Sequence, residues 1–475
     1  MQTNLRKTKI VCTIGPASSS EEMLEKLINA GMNCARLNFS HGDYAEQSEK
    51  IENIRKVNKK LGTNIAIAID TKGPEIRLGD MGKGVSFESG DIVTVTPEEV
   101  VGTKEKFQIN CPEMFDDVSV GSRILMDDGK VSMDVIKKNE DGTLQCRIFN
   151  SGVLKTKKSA NVPGAKLTMP FISQKDENDI RFAARNDADF IFASFVRRKD
   201  DILEIRKILE EEGNNNCEII AKIENQEGYD NAKEILEVAD GIMVARGDLG
   251  VEVSFELVPV YQKHLISLAN DAGKPVITAT HMLESMIHNP RPTRAEASDV
   301  ANAVLDGSDA IMLSGESASG DYPVEAVENM SKLAFNAEKM LDYHKYVNKA
   351  SYLTHRTMNE AIGIAVAESC LTLSNVSSVM AFTETGGTPK RLCRFRPAAP
   401  IIAATNSARC ARKMAIYWGV YAKLDFDITD SVFYDVTAQR LADDLGLEKD
   451  SIIIITCGWK TGHGNTNTMR FLEVD

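Results

Sequence analysis

Lys222 and Glu224 lie two residues apart at the end of the apolar run Glu218–Ile223, and Asp248 follows the next such run along the chain. Side chains at positions i and i+2 of a strand point the same way, so the sequence predicts that Lys222 and Glu224 face one site. Mg²⁺ needs only one or two protein carboxylates, which Glu224 and Asp248 could supply. A lysine beside that ion would offer a fixed positive charge to a transferring phosphoryl group. A strand-end ion pair is the simpler alternative.

A set of oxygen-bearing side chains follows two earlier apolar runs, at Asn38, Ser40, Asp70 and Thr71. The set contains one carboxylate, and oxygen ligands with so little charge suit a monovalent cation. Three basic side chains in the same two segments are candidate phosphate contacts: Arg36, Lys72 and Arg77. A salt-bridged loop is the better explanation of either segment taken alone.

Two more strand ends carry residues of interest. Gly247 precedes Asp248 and would let a ligand approach the backbone closely. Thr280 and His281 follow a later apolar run. Taken alone, a threonine there is more commonly a helix cap and a histidine more commonly structural. The sequence has no G-x-x-x-x-G-K-[ST] loop, G-x-S-x-G elbow or H-E-x-x-H motif. From the residues alone, phosphoryl transfer and enolate chemistry, both assisted by Mg²⁺, remain equally open.

The elements that must position these residues are eight short runs rich in Val, Ile and Ala, with helical patterns after most of them. The runs are Lys9–Ile14, Asn33–Leu37, Ile65–Asp70, Phe190–Ser194, Glu218–Ile223, Gly241–Ala245, Pro275–Thr278 and Asp309–Leu313. Runs without polar alternation are typical of strands buried on both faces. Eight β/α units predict an α/β protein with a closed (β/α)8 TIM barrel, and a doubly wound open sheet is the alternative. In such a barrel, polar residues at the carboxyl ends of strands are catalytic candidates.

The alternation of apolar runs and helical patterns is interrupted between the third and fourth runs, and the pattern changes again after the eighth run. Hairpin signals at 127–129 and 141–142 indicate an inserted β domain, which could cover the barrel mouth as a lid. We predict the barrel over 1–74 and 170–340, a small β-barrel lid over 75–169, and a C-terminal α/β domain over 341–475.

The composition excludes several classes of protein. The chain has 475 residues, of which 43% are hydrophobic, so intrinsic disorder is not the dominant state. A net charge of −13 disfavours nucleic acid and anionic membrane as partners. No apolar run approaches the ~20 residues of a membrane helix. The nine cysteines contain no C-x-x-C, which is typical of buried thiols in a reducing compartment. We therefore expect a cytoplasmic protein.

Several long motifs, in the same order along the chain, resemble those of the pyruvate kinase family. They lie at 8–18, 36–42, 70–77, 222–225, 243–250, 290–296 and 311–316. The resemblance covers nearly the whole chain. It implies a phosphotransferase that moves the phosphoryl group of phosphoenolpyruvate to ADP, giving pyruvate and ATP in the last step of glycolysis. It also implies a homotetramer with a barrel, a β lid and a C-terminal regulatory domain.

The resemblance assigns roles to matching positions of this chain. Glu224 and Asp248 would bind Mg²⁺ or Mn²⁺, and Lys222 would stabilise the transferring phosphoryl group. The substrate would contact Arg36, Lys222, Gly247, Asp248 and Thr280, with Thr280 near the point where the enolate is protonated. K⁺ would be held by Asn38, Ser40, Asp70 and Thr71. The nucleotide site would be lined by Asn38, His41, Arg77 and Lys158.

Three positions bear on cofactor use and regulation. Family members that need K⁺ carry Glu at position 75, as this chain does, so we expect K⁺ dependence. The family usually has Gln where His281 stands, and a histidine at this position could make activity depend on pH. The segment 383–388 resembles the family's effector loop for sugar phosphates. Forms activated by fructose bisphosphate often carry Lys where Glu384 stands, and a carboxylate repels phosphate, although Lys460 could partly compensate. We expect weak or absent activation by that sugar, with another phosphorylated effector possible.

Two competing functions follow from the same features. One is another Mg²⁺-dependent barrel enzyme acting on pyruvate-type substrates, such as an aldolase. The 70–77 motif and the inserted domain disfavour it, because an aldolase needs no nucleotide lid. The other is a sensor without catalytic activity, which Lys222, Glu224, Asp248 and Thr280 disfavour.

Overall fold

The computed structural model describes residues 5–351, 357–424, 434–458 and 466–475. The chain begins with three strands of a parallel sheet, separated by two helices. These are β1 (Lys9–Thr13), α1 (Glu21–Ala30), β2 (Cys34–Asn38), α2 (Tyr44–Leu61) and β3 (Ala66–Asp70). Ser20 caps α1 by accepting a hydrogen bond from the Met23 amide, as expected of a hydroxyl residue before an acidic first turn.

Eight short strands and one short helix follow before the barrel resumes. They are β4 (Val85–Phe87), β5 (Ile92–Thr96), β6 (Lys106–Gln108), α3 (Pro112–Asp117), β7 (Arg123–Met126), β8 (Val131–Lys138), β9 (Leu144–Ile148), β10 (Gly152–Leu154) and β11 (Ala160–Asn161). Six form one sheet in the order β11-β7-β8-β9-β5-β6, and β4 pairs with β10. Arg77 bridges to Ser159 and Leu78 to Ile109, so the entering segment links both edges of the larger sheet. Asp127, Asp128 and Gly129 all have positive φ, in agreement with the predicted hairpin.

The second part of the barrel alternates strands and helices. Its elements are α4 (Gln174–Arg185), β12 (Phe190–Ala193), α5 (Lys199–Glu211), β13 (Glu218–Ile223), α6 (Gln226–Asp230), α7 (Ala232–Val238), β14 (Gly241–Ala245), α8 (Arg246–Glu252), α9 (Val258–Ala272), β15 (Val276–Ala279), α10 (Arg294–Asp306), β16 (Ala310–Leu313), α11 (Gly315–Ala318) and α12 (Pro323–Glu338). The strands close in the order β1-β16-β15-β14-β13-β12-β3-β2. All eight predicted strands are present with bounds within one residue, so the closed parallel barrel is confirmed and the open sheet was the wrong alternative.

Alternate side chains of each barrel strand belong to different hydrophobic layers. On β13, Ile219 and Ala221 pack in the outer layer against the helices, and Ile220 packs inside the barrel. The period of two therefore places Lys222 in the inner row that Ile220 begins. On β3, Ala66 and Ala68 begin the inner row that ends in Asp70. Each inner row is apolar at the bottom and polar at the carboxyl-terminal mouth.

The C-terminal region is a five-stranded sheet with helices. Its elements are α13 (Tyr343–Ser351), α14 (Met358–Thr372), β17 (Val376–Phe382), α15 (Gly387–Arg394), β18 (Ile401–Ala404), α16 (Ala408–Lys413), β19 (Val420–Lys423), α17 (Tyr434–Leu445), β20 (Ile452–Cys457) and β21 (Thr468–Glu473). The strand order is β19-β18-β17-β20-β21, with β21 antiparallel. The predicted α/β character is confirmed. Strand β19 was not predicted, because it is short and only partly buried.

This region docks on the amino-terminal end of the barrel, away from the mouth. Acidic residues at the bottom of three barrel strands pair with bases of the C-terminal region: Asp189 with Arg412, Glu218 with Lys390 and Lys413, and Asp309 with Arg396. All nine cysteines are buried and free, as predicted. Within the described ranges, no helix has the length and apolar character to cross a membrane.

Candidate active site

The barrel mouth holds a buried lysine between two carboxylates. The Lys222 ammonium lies 3.1 Å from Asp70 Oδ1 and 3.0 Å from Glu224 Oε1. It also donates a 2.6 Å hydrogen bond to the Ser194 hydroxyl. Asp70 ends β3 and Glu224 follows β13, so barrel closure brings together groups that lie far apart in the chain. The predicted Lys222–Glu224 pair on one face is thus present, and Asp70 joins it.

Burial and charge act in opposite directions on these three groups. Burial disfavours the charged form of Lys222, but Asp70 and Glu224 outweigh it and raise the lysine pKa above its usual value. Burial also opposes ionisation of Asp70, but Arg36 and Lys222 keep the pKa of Asp70 below its usual value. Glu224 has less positive charge around it, so burial, together with the nearby charge of Asp248, raises its pKa to about 7. More positive charge beside Glu224 would favour its ionised form.

Glu224 and Asp248 fit a divalent cation. Glu224 is fully buried, and its Oε1 accepts no hydrogen bond although Lys222 is close. Its Oε2 accepts a 2.6 Å hydrogen bond from the Phe195 amide, which fixes the carboxylate. Asp248 lies exposed at the start of α8 and lines the neighbouring cleft. In the part of the chain that the structure describes, no three His, Cys, Asp or Glu side chains form a metal cluster. A cation here would therefore take further oxygens from substrate and water, as Mg²⁺ does.

The predicted phosphate contact Arg36 is held at the same site. The Arg36 Nε donates a hydrogen bond to Asp70 Oδ2 over 2.5 Å, and the terminal nitrogen Nη1 donates one to the Thr13 hydroxyl over 2.9 Å. Asp70 therefore bonds Arg36 through one oxygen and Lys222 through the other. This orients the guanidinium and the ammonium in one region of the mouth.

The predicted monovalent-cation ligands are partly assembled. Asn38 and Asp70 are directly paired across β2 and β3, and Thr71 follows at the end of β3. The Asn38 side-chain oxygen accepts a 3.0 Å hydrogen bond from the Ser40 amide, which shapes the exposed turn. The Thr71 hydroxyl accepts a 3.2 Å hydrogen bond from the Ser194 amide.

A cleft of about 800 Å³ opens beside Asp248, between the barrel and the tip of the insert. Gly247, Thr280 and His281 line it on the barrel side, and Asp128 lines it on the insert side. The Gly247 amide donates a 2.7 Å hydrogen bond to the Thr280 hydroxyl. Thr280 and His281 both have positive φ, which is unusual for residues with a Cβ and is strained for a β-branched residue. Thr280 is therefore not a helix cap.

The predicted nucleotide residues fall into two groups. Arg77 is paired across the insert with Ser159, next to Lys158, so these two cations are neighbours. Both already have acidic partners, because Arg77 makes two hydrogen bonds to Glu75 and Lys158 lies 2.8 Å from Asp127. Asn38 ends β2, and His41 follows that strand on the barrel. Among the described residues, no hydrogen bond or ion pair joins His41 to Arg77 or Lys158.

Ser194 is the functional-site residue that the sequence analysis missed. It directly follows β12, where Phe190 and Phe192 form the inner row. The same period of two that identified Lys222 could have placed Ser194 at the mouth. A single serine carries little chemical signal by itself, and its contacts to Lys222 and Asp70 depend on barrel closure.

The effector loop predicted at 383–388 runs into the first turn of α15, which begins at Gly387. Its Gly386 amide donates to the Thr383 hydroxyl over 2.9 Å, and Gly386 has a φ of +87°. Lys460, the cation expected to assist there, lies outside the described residues.

Comparisons with known proteins agree over nearly the whole chain. The family model described as the pyruvate kinase barrel domain matches residues 5–327, and that of the pyruvate kinase alpha/beta domain matches residues 360–472. A pyruvate kinase of Staphylococcus saprophyticus is 52% identical over 98% of this chain and 80% of its own length, as is one of Staphylococcus aureus. The crystal structure of a Cryptosporidium parvum pyruvate kinase superposes with a TM-score of 0.95 at 39% identity, covering 99% of this chain and 96% of that one.

Proposed function

The chain belongs to the pyruvate kinase family, and we propose how its residues divide the work of that family's reaction. It is a phosphotransferase of glycolysis that transfers the phosphoryl group of phosphoenolpyruvate to ADP, giving pyruvate and ATP. A kinase of this family needs a divalent metal ion. Nothing in the comparisons supports an aldolase or a sensor without activity.

The Lys222 ammonium, fixed between Asp70 and Glu224, is the observation that carries the mechanism. Arg36 binds and orients the phosphate of phosphoenolpyruvate. Lys222 places its charge against the phosphoryl group as that group leaves the enolate oxygen, which stabilises the transition state more than the ground state. Because both cations are already positioned by Asp70, little reorganisation is needed during transfer.

Mg²⁺ is the proposed divalent ion, with Mn²⁺ as a substitute, and Glu224 and Asp248 would hold it. When bound, it would neutralise charge on the substrate oxygens. K⁺ is the proposed monovalent ion, held by Asn38, Ser40, Asp70 and Thr71. The presence of Glu75, which leaves no lysine ammonium at that position, supports K⁺ dependence.

Gly247 and Thr280 border the proposed pyruvate end of the substrate. The Gly247 amide and the Thr280 hydroxyl already bond each other. With its hydroxyl held there, Thr280 would orient the water that protonates the enolate carbon.

ADP would enter between the barrel mouth and the insert, where Arg77 and Lys158 are neighbours. Each would exchange its acidic partner for nucleotide phosphate, with Asn38 and His41 on the barrel side. The insert would thus act as a lid over the nucleotide. This proposal uses the domain division given above: a barrel at 1–74 and 170–340, a lid at 75–169 and a C-terminal domain at 341–475. A homotetramer, a cytoplasmic location and a phosphorylated effector at 383–388 belong to the same proposal.

One assay tests the function directly. Pyruvate release from phosphoenolpyruvate should require ADP and Mg²⁺ and should rise with K⁺. No pyruvate under any of these conditions would reject the proposal, and pyruvate formation without ADP would show that water rather than ADP accepts the phosphoryl group. Fructose bisphosphate should leave the half-saturating phosphoenolpyruvate concentration nearly unchanged, and a large drop would contradict the effector hypothesis.

A further inference from the structure

Ser194 makes the shortest contact of the buried lysine at the barrel mouth. Its hydroxyl lies 2.6 Å from Lys222 Nζ, 3.0 Å from Asp70 Oδ1 and 2.7 Å from the Thr71 carbonyl oxygen. The residue is only 2% exposed. We propose that Ser194 is a positioning residue for phosphoryl transfer and that it acts through Lys222. This inference rests on the catalytic role proposed for Lys222.

Counting hydrogens shows what the hydroxyl can do. A serine hydroxyl donates one hydrogen and accepts through two lone pairs, whereas a lysine ammonium only donates. The Ser194 hydrogen therefore goes to Thr71 or Asp70, and a lone pair receives Lys222. Of the three ammonium hydrogens, Asp70 and Ser194 accept two. The third remains for the region of Glu224 and the substrate.

The Ser194 hydroxyl differs from the other two neighbours of Lys222 because it carries no charge. Asp70 and Glu224 both attract the ammonium, and they also offset its charge. Ser194 fixes the direction of the ammonium without adding negative charge, so the lysine remains available to the phosphoryl group. Without the hydroxyl, the ammonium would be free to move between the two carboxylates, away from its reactive position.

The backbone around Ser194 is held in place. Its amide donates to the Thr71 hydroxyl over 3.2 Å, and the next residue, Phe195, has a φ of +56° and donates its amide to Glu224. Gly73 packs closely from the other side, because a Cβ on it would lie 2.8 Å from the Ser194 carbonyl oxygen. The same dipeptide therefore orients both Lys222 and Glu224.

The matched experiment compares Ser194→Ala, Ser194→Thr and Ser308→Ala. Ser308 is also a fully buried barrel serine, but its hydroxyl bonds Thr278 and is not in contact with Lys222. Losing a hydrogen bond to a charged group should lower kcat about tenfold or more in Ser194→Ala, with KM for phosphoenolpyruvate changed less than about threefold. Ser194→Thr should recover most of kcat, and Ser308→Ala should keep it. Thermal unfolding midpoints should fall alike in the two alanine variants.

Several results would overturn the inference. They are a kcat of Ser194→Ala within about twofold of the native value, an equal kcat loss in Ser308→Ala, no recovery in Ser194→Thr, or a change confined to KM. If Ser194→Ala does not fold, Ser194→Cys takes its place, because a thiol is a weak acceptor and should lose kcat similarly. Lys222→Met separates the two proposals. If Lys222→Met keeps turnover, the proposed role of Lys222 is wrong. If Lys222→Met loses turnover but Ser194→Ala keeps it, the role of Lys222 stands and the inference on Ser194 is wrong.

Discussion

The Gly247 amide donates a 2.7 Å hydrogen bond to the Thr280 hydroxyl, which joins the segments that follow β14 and β15 on the barrel side of the cleft. Thr280 holds this position with a φ of +68°, so its hydroxyl is placed at the cost of backbone strain. Strain of this kind persists where the surrounding structure enforces it, and here it aims a hydroxyl into the cleft beside Asp248.

Thr280→Ala should lower kcat by about tenfold to a hundredfold, because it removes the group that orients the protonating water. Thr280→Ser should retain most of the activity. Steady-state pyruvate formation and solvent-deuterium incorporation into pyruvate measure the effect. Thr278→Ala is the control, since Thr278 is buried on β15, the strand that Thr280 follows, but bonds Ser308 instead. Equal kcat losses in the two alanine variants would contradict the role of Thr280.

Glu224→Gln should weaken divalent-ion binding at least about tenfold, because the substitution keeps the side-chain size and removes a buried charged ligand. Direct Mn²⁺ titration by electron paramagnetic resonance, with phosphoenolpyruvate present, measures the affinity without turnover. Asp230→Asn is the matched control, since Asp230 is a nearby exposed carboxylate on α6 that bonds Gln226. Unchanged Mn²⁺ affinity in Glu224→Gln would remove Glu224 from the metal site.

Removal of K⁺ should lower the activity of the native chain by at least about tenfold, because the fixed positive charge it adds beside Asp70 would be lost. Glu75→Lys should show less dependence on K⁺. That variant also breaks the Glu75–Arg77 pair, so Glu75→Gln separates loss of the pair from gain of an ammonium. Assays in buffer free of Na⁺ and K⁺ decide the matter. Equal native activity with and without K⁺ would show that the ion has no role.

We predict that the stability of the protein depends on pH through Lys9, which lies at the interface between the barrel and the C-terminal region. Its ammonium is buried over the Tyr421 ring, and burial, with Arg6 nearby, lowers its pKa to about 7. The unfolded chain binds the proton more tightly, so the free energy of unfolding should rise by about 2 kcal/mol between pH 7 and pH 9 from this group.

Lys9→Met should remove that rise. Thermal unfolding midpoints of the native chain and the variant, measured at pH 7, 8 and 9, give the comparison. The advantage of the variant over the native chain should be greatest at pH 7 and should shrink as the pH increases. A constant difference across this range would show that Lys9 does not titrate there.

Several features could be predicted from local patterns in the sequence. The eight barrel strands are continuous apolar runs, because a strand buried on both faces needs apolar residues at every position. The period of two placed Lys222 and Glu224 on one face, and the order of the strands placed Asp248 beside them. These inferences rest on repeats of a few residues, which the backbone geometry of a single strand already imposes.

Other features required the closed fold. Lys222 and Asp70 are 152 residues apart, and only closure of the barrel brings them within 3.1 Å. The contacts of Ser194, the positive φ of Thr280 and the pairing of Arg36 with Asp70 depend likewise on neighbouring strand ends. Docking of Arg412 on Asp189 depends on how two regions pack together. No local periodicity encodes such contacts, because they are set by strand order, register and packing between segments that are distant in the chain.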